Sequence, residues 1–140
     1  MPSHSYMCPL RWSDMDIYGV VNNVSFVRLL EEGRVDLIWR LGSGDRDAFF
    51  AGGSVVVRHV VEYKRPLVHR PEPVEIEMWV SDLDYARVVI DAVVRDGPTV
   101  YAVASTTMAP FNYEKRFPRR MSEEEMAFFD SFREPRTAVA

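Results

Sequence analysis

The chain has 140 residues, a formal net charge of −4 and a hydrophobic fraction of 47%. That size buries a core without staples and predicts one domain over residues 1–140, while the acidic balance argues against a nucleic-acid-binding protein. The lone cysteine, Cys8, excludes an intrachain disulfide and fits a reducing compartment, and no apolar run approaches the ~20 residues of a membrane span. The N-terminal MPSHSYMCPLRWSD lacks a basic region followed by an apolar one, so no signal peptide is expected and the cytosol is the expected location.

Taken in chain order, Tyr6, Cys8, Leu10 and Trp12 alternate with Met7, Pro9, Arg11 and Ser13, which predicts a strand over about Tyr6–Ser13. Pro9 cannot donate to a ladder and places that strand at an edge or irregular start. A loop, Asp14–Asn22, leads into a helix predicted over Val24–Leu41. Phe26, Leu30, Gly33, Leu37 and Leu41 share one of its faces, widened by Val27, Arg34 and Ile38. Asn22 or Asn23 suits the N-cap and Gly42 the C-terminal stop. Gly33 on the apolar face predicts close packing against another element.

Ser43–Gly53 reads as a loop with an apolar tuck at Phe49 and Phe50. Four strands follow, over Ser54–Lys64, Pro73–Leu83, Tyr85–Arg95 and Thr99–Phe111, with short turns favouring antiparallel pairing of the last three. In the first, Val55, Val57, His59, Val61 and Tyr63 are expected on one face. In the second, Val74, Ile76, Met78 and Val80 oppose Glu75, Glu77 and Trp79. Ser122-Glu123-Glu124-Glu125 has capping-box form and opens a last helix with Met126, Phe129 and Phe132 as its stripe. Residues 134–140 are expected to fray. One sheet around one central helix is the simplest α+β solution, and its uncovered face and edges favour a dimer.

The loop carries the chemistry. Ser13-Asp14-Met15-Asp16 runs through Gly19 into Asn22-Asn23, which sets two carboxylates close to a helix N-terminus. Such a terminus offers free N–H groups and partial positive charge. A carboxylate beside an anion-stabilising pocket suits hydrolysis of an activated acyl group. The same residues suit an Asx turn before a capped helix.

The stretch Trp12–Phe26, continued by Leu30-Glu31-Glu32-Gly33-Arg34, resembles the hotdog-fold acyl-CoA thioesterases, in particular the 4-hydroxybenzoyl-CoA thioesterase-like family. Val60-Val61-Glu62-Tyr63-Lys64-Arg65-Pro66-Leu67 is similar to that family's Tyr-x-x-Pro-Leu corner, and the likeness spans roughly residues 5–120. The resemblance implies a hotdog fold, with an antiparallel sheet of about five strands wrapped around one long helix; here a short C-terminal helix is added. It implies hydrolysis of an acyl-CoA to a carboxylic acid and free CoA, with no cofactor beyond the CoA of the substrate. It also implies a homodimer or homotetramer whose chains share each site. Asp16 would be the nucleophile or the general base, and the backbone N–H groups of Asn23 and Val24 would polarise the carbonyl. The chain departs from the family in three places. Val20 stands where many relatives have histidine, and Asn22 and Asn23 stand where others have tyrosine or histidine. Asp84-Tyr85-Ala86-Arg87 stands where some carry a basic cluster.

The other polar residues have competing roles. Asp14 is expected to be solvated or to stabilise the turn. Gly19 is expected to supply a positive φ or a close approach of substrate. Glu31 and Glu32 are read as structural, with Glu31 pairing with Arg34. His59 is read as a satisfied core histidine. His4, His59 and His69 have no metal-ligand spacing among themselves or with Cys8, and no metal is expected. Arg58, Lys64, Arg65 and Arg87 are candidate partners for CoA phosphates, with Lys115–Arg120 as a further basic run. The rivals to acyl-CoA hydrolysis are a thioesterase acting on acyl carrier protein and a non-enzymatic module that binds an acyl ligand or a protein.

Overall fold

The computed structural model describes residues 2–41 and 53–139. It has strand β1 (His4–Cys8), helix α1 (Asn23–Val35) continued by a π-helical stretch (Asp36–Leu41), and strands β2 (Ser54–Tyr63), β3 (Val74–Asp84), β4 (Arg87–Asp96), β5 (Thr99–Asn112) and β6 (Phe117–Pro118). Helix α2 (Glu123–Asp130) follows. The main sheet has the antiparallel order β1-β3-β4-β5-β2, with β6 paired to the end of β5. Curled around α1, it is a hotdog fold. The short β6 pair has no counterpart among the expected elements. Gly42 and the tuck at Phe49 and Phe50 lie outside the described residues.

Alternation decides which strand face is buried. Ile76, Met78 and Val80 of β3 stand opposite Val94, Ala92 and Ile90 of β4, which in turn oppose Ala102, Ala104 and Thr106 of β5. All nine are buried. Helix α1 lays Phe26, Leu29, Leu30 and Gly33 against this core, and its π-helical continuation adds Leu37 and Ile38. Leu29 belongs to the stripe, whereas Val27 is 38% exposed. Gly33 is the close approach that its position predicts. A Cβ there would come within 3.0 Å of Met78 Sδ and 3.1 Å of Ile76 Cγ2, tighter than ordinary packing.

One strand departs from simple alternation. Val56 pairs with Met108 and Arg58 with Thr107, so Val57 is an extra residue, a β-bulge. His59, Val61 and Tyr63 therefore share a face with Val56 rather than with Val55 and Val57. Further register shifts between Val80 and Asp82 and between Val94 and Arg95 add local twist to the curl.

The C-terminal tail is not frayed over residues 134–139. It leaves α2, bridges Val80 through Arg133 in parallel, and crosses the sheet's outer face. The indole N–H of Trp79 donates to the Arg136 carbonyl at 2.9 Å, and the Arg136 guanidinium lies 3.7 Å over the indole ring. The Ala138 amide donates to Asp91 at 2.7 Å. This cover explains why Trp79 and Asp91, which point away from the helix, are each only 1% exposed. Helix α2 starts with the expected capping box: the Glu125 amide donates to Ser122 Oγ, and the Ser122 amide to Glu125 Oε1.

Candidate active site

Asp14 is fully buried and supports the loop beneath it. The Arg11 amide donates to its carboxylate at 2.7 Å, closing a 3-10 turn over Trp12–Asp14. Arg28 of α1 donates two hydrogen bonds, from Nε at 3.0 Å and Nη2 at 2.7 Å. The Asn22 amide donates to the Asp14 carbonyl. Burial by itself would raise the Asp14 pKa. The Arg28 hydrogen bonds, the Arg11 amide and both guanidinium charges outweigh it and hold the carboxyl below its ordinary value. Of its two expected roles, Asp14 has the turn-stabilising one and not the solvated one.

Beyond Asp14 the chain makes a small hairpin. Met15 bridges Val21, and the Asp16 amide donates to the Val20 carbonyl at 2.9 Å. The tip is Ile17-Tyr18-Gly19, with Gly19 at φ +77°. Space is open around Gly19, so the glycine serves the backbone angle. Asp16 Oδ1 accepts the Tyr18 amide at 2.8 Å, an Asx turn. Asp16 Oδ2 accepts no hydrogen bond among the described residues, and the side chain is half-buried. The turn and the chemistry are therefore compatible: one oxygen orients the carboxylate and the other is open.

Asp16 borders an open pocket of about 440 Å³, lined also by Trp12, Met15, Ile17, Gly19, Val68 and His69. Val68 and His69 come from the β2–β3 connection. They are held there by a Val20–Val68 bridge and by the Val21 amide donating to the Leu67 carbonyl at 2.7 Å. Trp12 meets the His69 ring edge to face, with centroids 5.5 Å apart. Nothing local in the sequence marks His69 as a neighbour of Asp16, because the contact is a pairing about fifty residues apart along the chain. A second cavity of about 260 Å³ lies at the other end of α1, lined by apolar residues such as Ile38, Val88, Met108, Met121 and Phe129.

Of the other expected site residues, only Gly19 shares the Asp16 pocket. Asn22 caps α1 by accepting the Val24 amide at 2.9 Å, so that amide is already used. Asn23, the first helical residue, donates its amide to no backbone or side-chain acceptor among the described residues, while its carbonyl accepts the Tyr63 hydroxyl at 3.1 Å. Arg58, Lys64, Arg65 and Arg87 are all exposed. Arg87 is held by Asp82 at 2.6 Å, and Lys64 lies 3.8 Å from Glu62. The basic run after β5 is partly turned inward. Arg119 makes a bidentate pair with Glu125 at 2.7 and 2.8 Å, and Arg120 stacks on Tyr85.

Two groups inside the sheet differ from expectation. His59 Nδ1 is hydrogen-bonded to Thr106 Oγ1 at 2.7 Å, but its buried Nε2 has no partner among the described residues. Burial and then the Arg34 charge push the His59 pKa down, so the ring is neutral near pH 7. Arg34 is 8% exposed and forms no ion pair among the described residues; it does not close on Glu31. Instead Glu32 pairs with Arg28, one turn away, at 3.7 Å.

A carboxylate with one free oxygen at an open pocket is equipment suited to acyl transfer to water; the uncommitted Asn23 amide at the start of α1 does not line that pocket. The comparisons with known proteins agree with that class. A candidate thioesterase from Pseudomonas aeruginosa, the PA2801 protein, is 28% identical, with a TM-score of 0.76, covering 89% of this chain and 95% of its own. A candidate acyl-CoA thioesterase from Xanthomonas campestris is 30% identical, with a TM-score of 0.68 and coverage of 79% and 93%. A thioesterase-superfamily structure from Jannaschia sp. CCS1 has a TM-score of 0.81 at 14% identity, covering 91% of each chain, and shows the fold alone. No curated protein matches. Fold and kinship define a hydrolase of thioesterase type. The chain belongs to the thioesterase-like superfamily, whose family model matches residues 10–132.

Proposed function

We propose that the chain hydrolyses acyl-CoA thioesters to a carboxylic acid and free CoA, with Asp16 as nucleophile toward the carbonyl or as general base toward water. The observation that carries this reading is the free Oδ2 of Asp16 at an open pocket, with the other oxygen fixed by the Tyr18 amide. The Asn23 amide polarises the thioester carbonyl. Val24 drops from that role because its amide is capped by Asn22.

The site is completed by a second copy of the chain. Among the described residues, the ten-residue strand β2 pairs with β5 alone and its other edge is open, with Val56, Val57 and Tyr63 exposed on the strand. An open apolar edge of that length calls for a pairing partner. Arg58, Lys64 and Arg65 remain the cations offered to the CoA phosphates, and Arg87 is engaged by its own acids. The location is cytosolic. Among the described residues no helix is long and apolar enough to cross a membrane.

The test is thiol release from a panel of aryl, short-chain and long-chain acyl-CoAs. Asp16→Asn is expected to cut turnover by on the order of 10²–10⁴ while the circular dichroism spectrum is unchanged. A wild type that turns over none of them, or an Asn variant as fast as wild type, refutes the reading.

A further inference from the structure

We infer that His69 is a second catalytic residue, acting as the general acid that protonates the departing thiolate opposite Asp16. The inference rests on the acyl-CoA hydrolase reading above and adds a group to its machinery. Three observations carry it. The Asp16 pocket is lined by two side chains able to exchange protons, Asp16 itself and His69. His69 is not placed there by an unconstrained loop, because the residues just before it are pinned to the Asp16 hairpin by the Val20–Val68 bridge and the Val21–Leu67 hydrogen bond. The ring is oriented by the edge of Trp12, itself in the turn that Asp14 and Arg28 anchor. The remaining lining, Trp12, Met15, Ile17, Gly19 and Val68, carries no titratable side chain, so Asp16 and His69 are the two groups at this pocket able to exchange protons.

The division of labour follows from charge. An ionised aspartate can accept a proton or attack carbon but cannot donate. When the tetrahedral adduct collapses, the C–S bond breaks and its electron pair goes to sulfur. That sulfur needs a proton, and histidine is the side chain whose ionisation lies nearest neutrality. In the base version, Asp16 takes a proton from the attacking water, the carbonyl carbon gains the oxygen, and His69 gives its proton to sulfur. The proton on Asp16 then returns through solvent to His69. The sum is acyl-CoA plus water giving acid plus thiol, with nothing left over. The nucleophile version uses the same donation to sulfur when the acyl-enzyme forms.

The experiment compares wild type, His69→Gln and His69→Ala, with stability checked by thermal melts. His69→Gln is expected to lower kcat by on the order of 10²-fold with KM little changed. It is also expected to remove the limb of the pH–kcat profile that falls as pH rises. Added imidazole is expected to restore part of the activity of His69→Ala and none of that of Asp16→Asn. A wild type that hydrolyses acyl-CoA alongside a His69→Gln variant with the same kcat and pH profile overturns the His69 assignment alone. A wild type inactive on every thioester overturns the parent reading and this one together. A second substrate set separates leaving-group help from general binding. Acyl thioesters of an acidic aryl thiol leave without protonation, so their turnover is expected to depend little on His69, and equal losses for both sets refute the acid role.

Discussion

Replacing Asp14 by asparagine tests whether the loop is held by charge. The carboxylate is fully buried and accepts three hydrogen bonds, two from Arg28 and one from the Arg11 amide. Asparagine keeps the volume but loses the charge and one acceptor. Breaking a fully buried ion pair costs about 3–5 kcal/mol because the partner is left uncompensated. The Arg28 side chain is 24% exposed and keeps Glu32 at 3.7 Å, so part of that penalty is relieved by water and the second carboxylate. We expect a loss of about 2–3 kcal/mol at pH 7. The assay is urea unfolding followed by circular dichroism, run from pH 7 down to pH 3. The sign of the pH effect is fixed by the shift. The folded carboxyl titrates below its unfolded value of 3.8, so its stabilisation is present above that value and is lost as pH falls through the lower, folded one. The gap between wild type and variant should therefore be constant near neutrality and close on acidification. A gap under about 0.5 kcal/mol, the scale of an exposed pair, or one equally wide at low pH, would refute a charge-held loop.

Two further outcomes are expected. Deleting residues 134–140 uncovers Trp79, which is 1% exposed beneath Arg136, so tryptophan emission should shift to the red. Re-exposing ~100 Å² of indole at about 25 cal/mol per Å² costs roughly 2–3 kcal/mol, and an unchanged spectrum and melting temperature would contradict the tail's seat. Burial pushes the Cys8 thiol up to about 11, with the Arg28 charge opposing only in part. A thiol reagent at pH 8 should therefore leave the native protein unlabelled and react once urea unfolds it; rapid stoichiometric labelling of the native state would show the thiol to be accessible.

Features governed by near neighbours were legible in the sequence. The capping box at Ser122 and the alternation in β3 depend on residues within a few positions, and each stands in the structure as expected; Gly33's place on the apolar face of α1 is equally local, although the side chains that crowd it, Ile76 and Met78, are distant in the chain. What was not legible involves distant partners. The bulge at Val57 is invisible to a period-two reading, since one added residue reverses the sidedness of everything before it. Asp14 reads as solvated or turn-stabilising, and its full burial is not legible until Arg28, a helix turn and a loop away, is brought onto it. The tail reads as polar and frayed until Trp79 and Asp91 supply a surface for it. At the site, Asp16 is proposed from its loop, while His69 and Trp12 come beside it only where the β2–β3 connection is laid against the hairpin.

Arg34 gives the fold a cost that is only partly offset. Burial lowers its pKa, and the nearby Glu31 offsets this only in part. A cation in that position is a deficit that no ion pair among the described residues cancels. Any anion that reaches it only in the folded state raises the melting temperature by mass action, in proportion to the logarithm of its concentration over its dissociation constant. An anion that paired with Arg34 would report itself as a rise in melting temperature. A melting-temperature screen over carboxylates, phosphates and acyl thioesters, run beside Arg34→Met, reads out engagement of that interior charge as a rise in the wild type that the variant lacks, without any need for turnover.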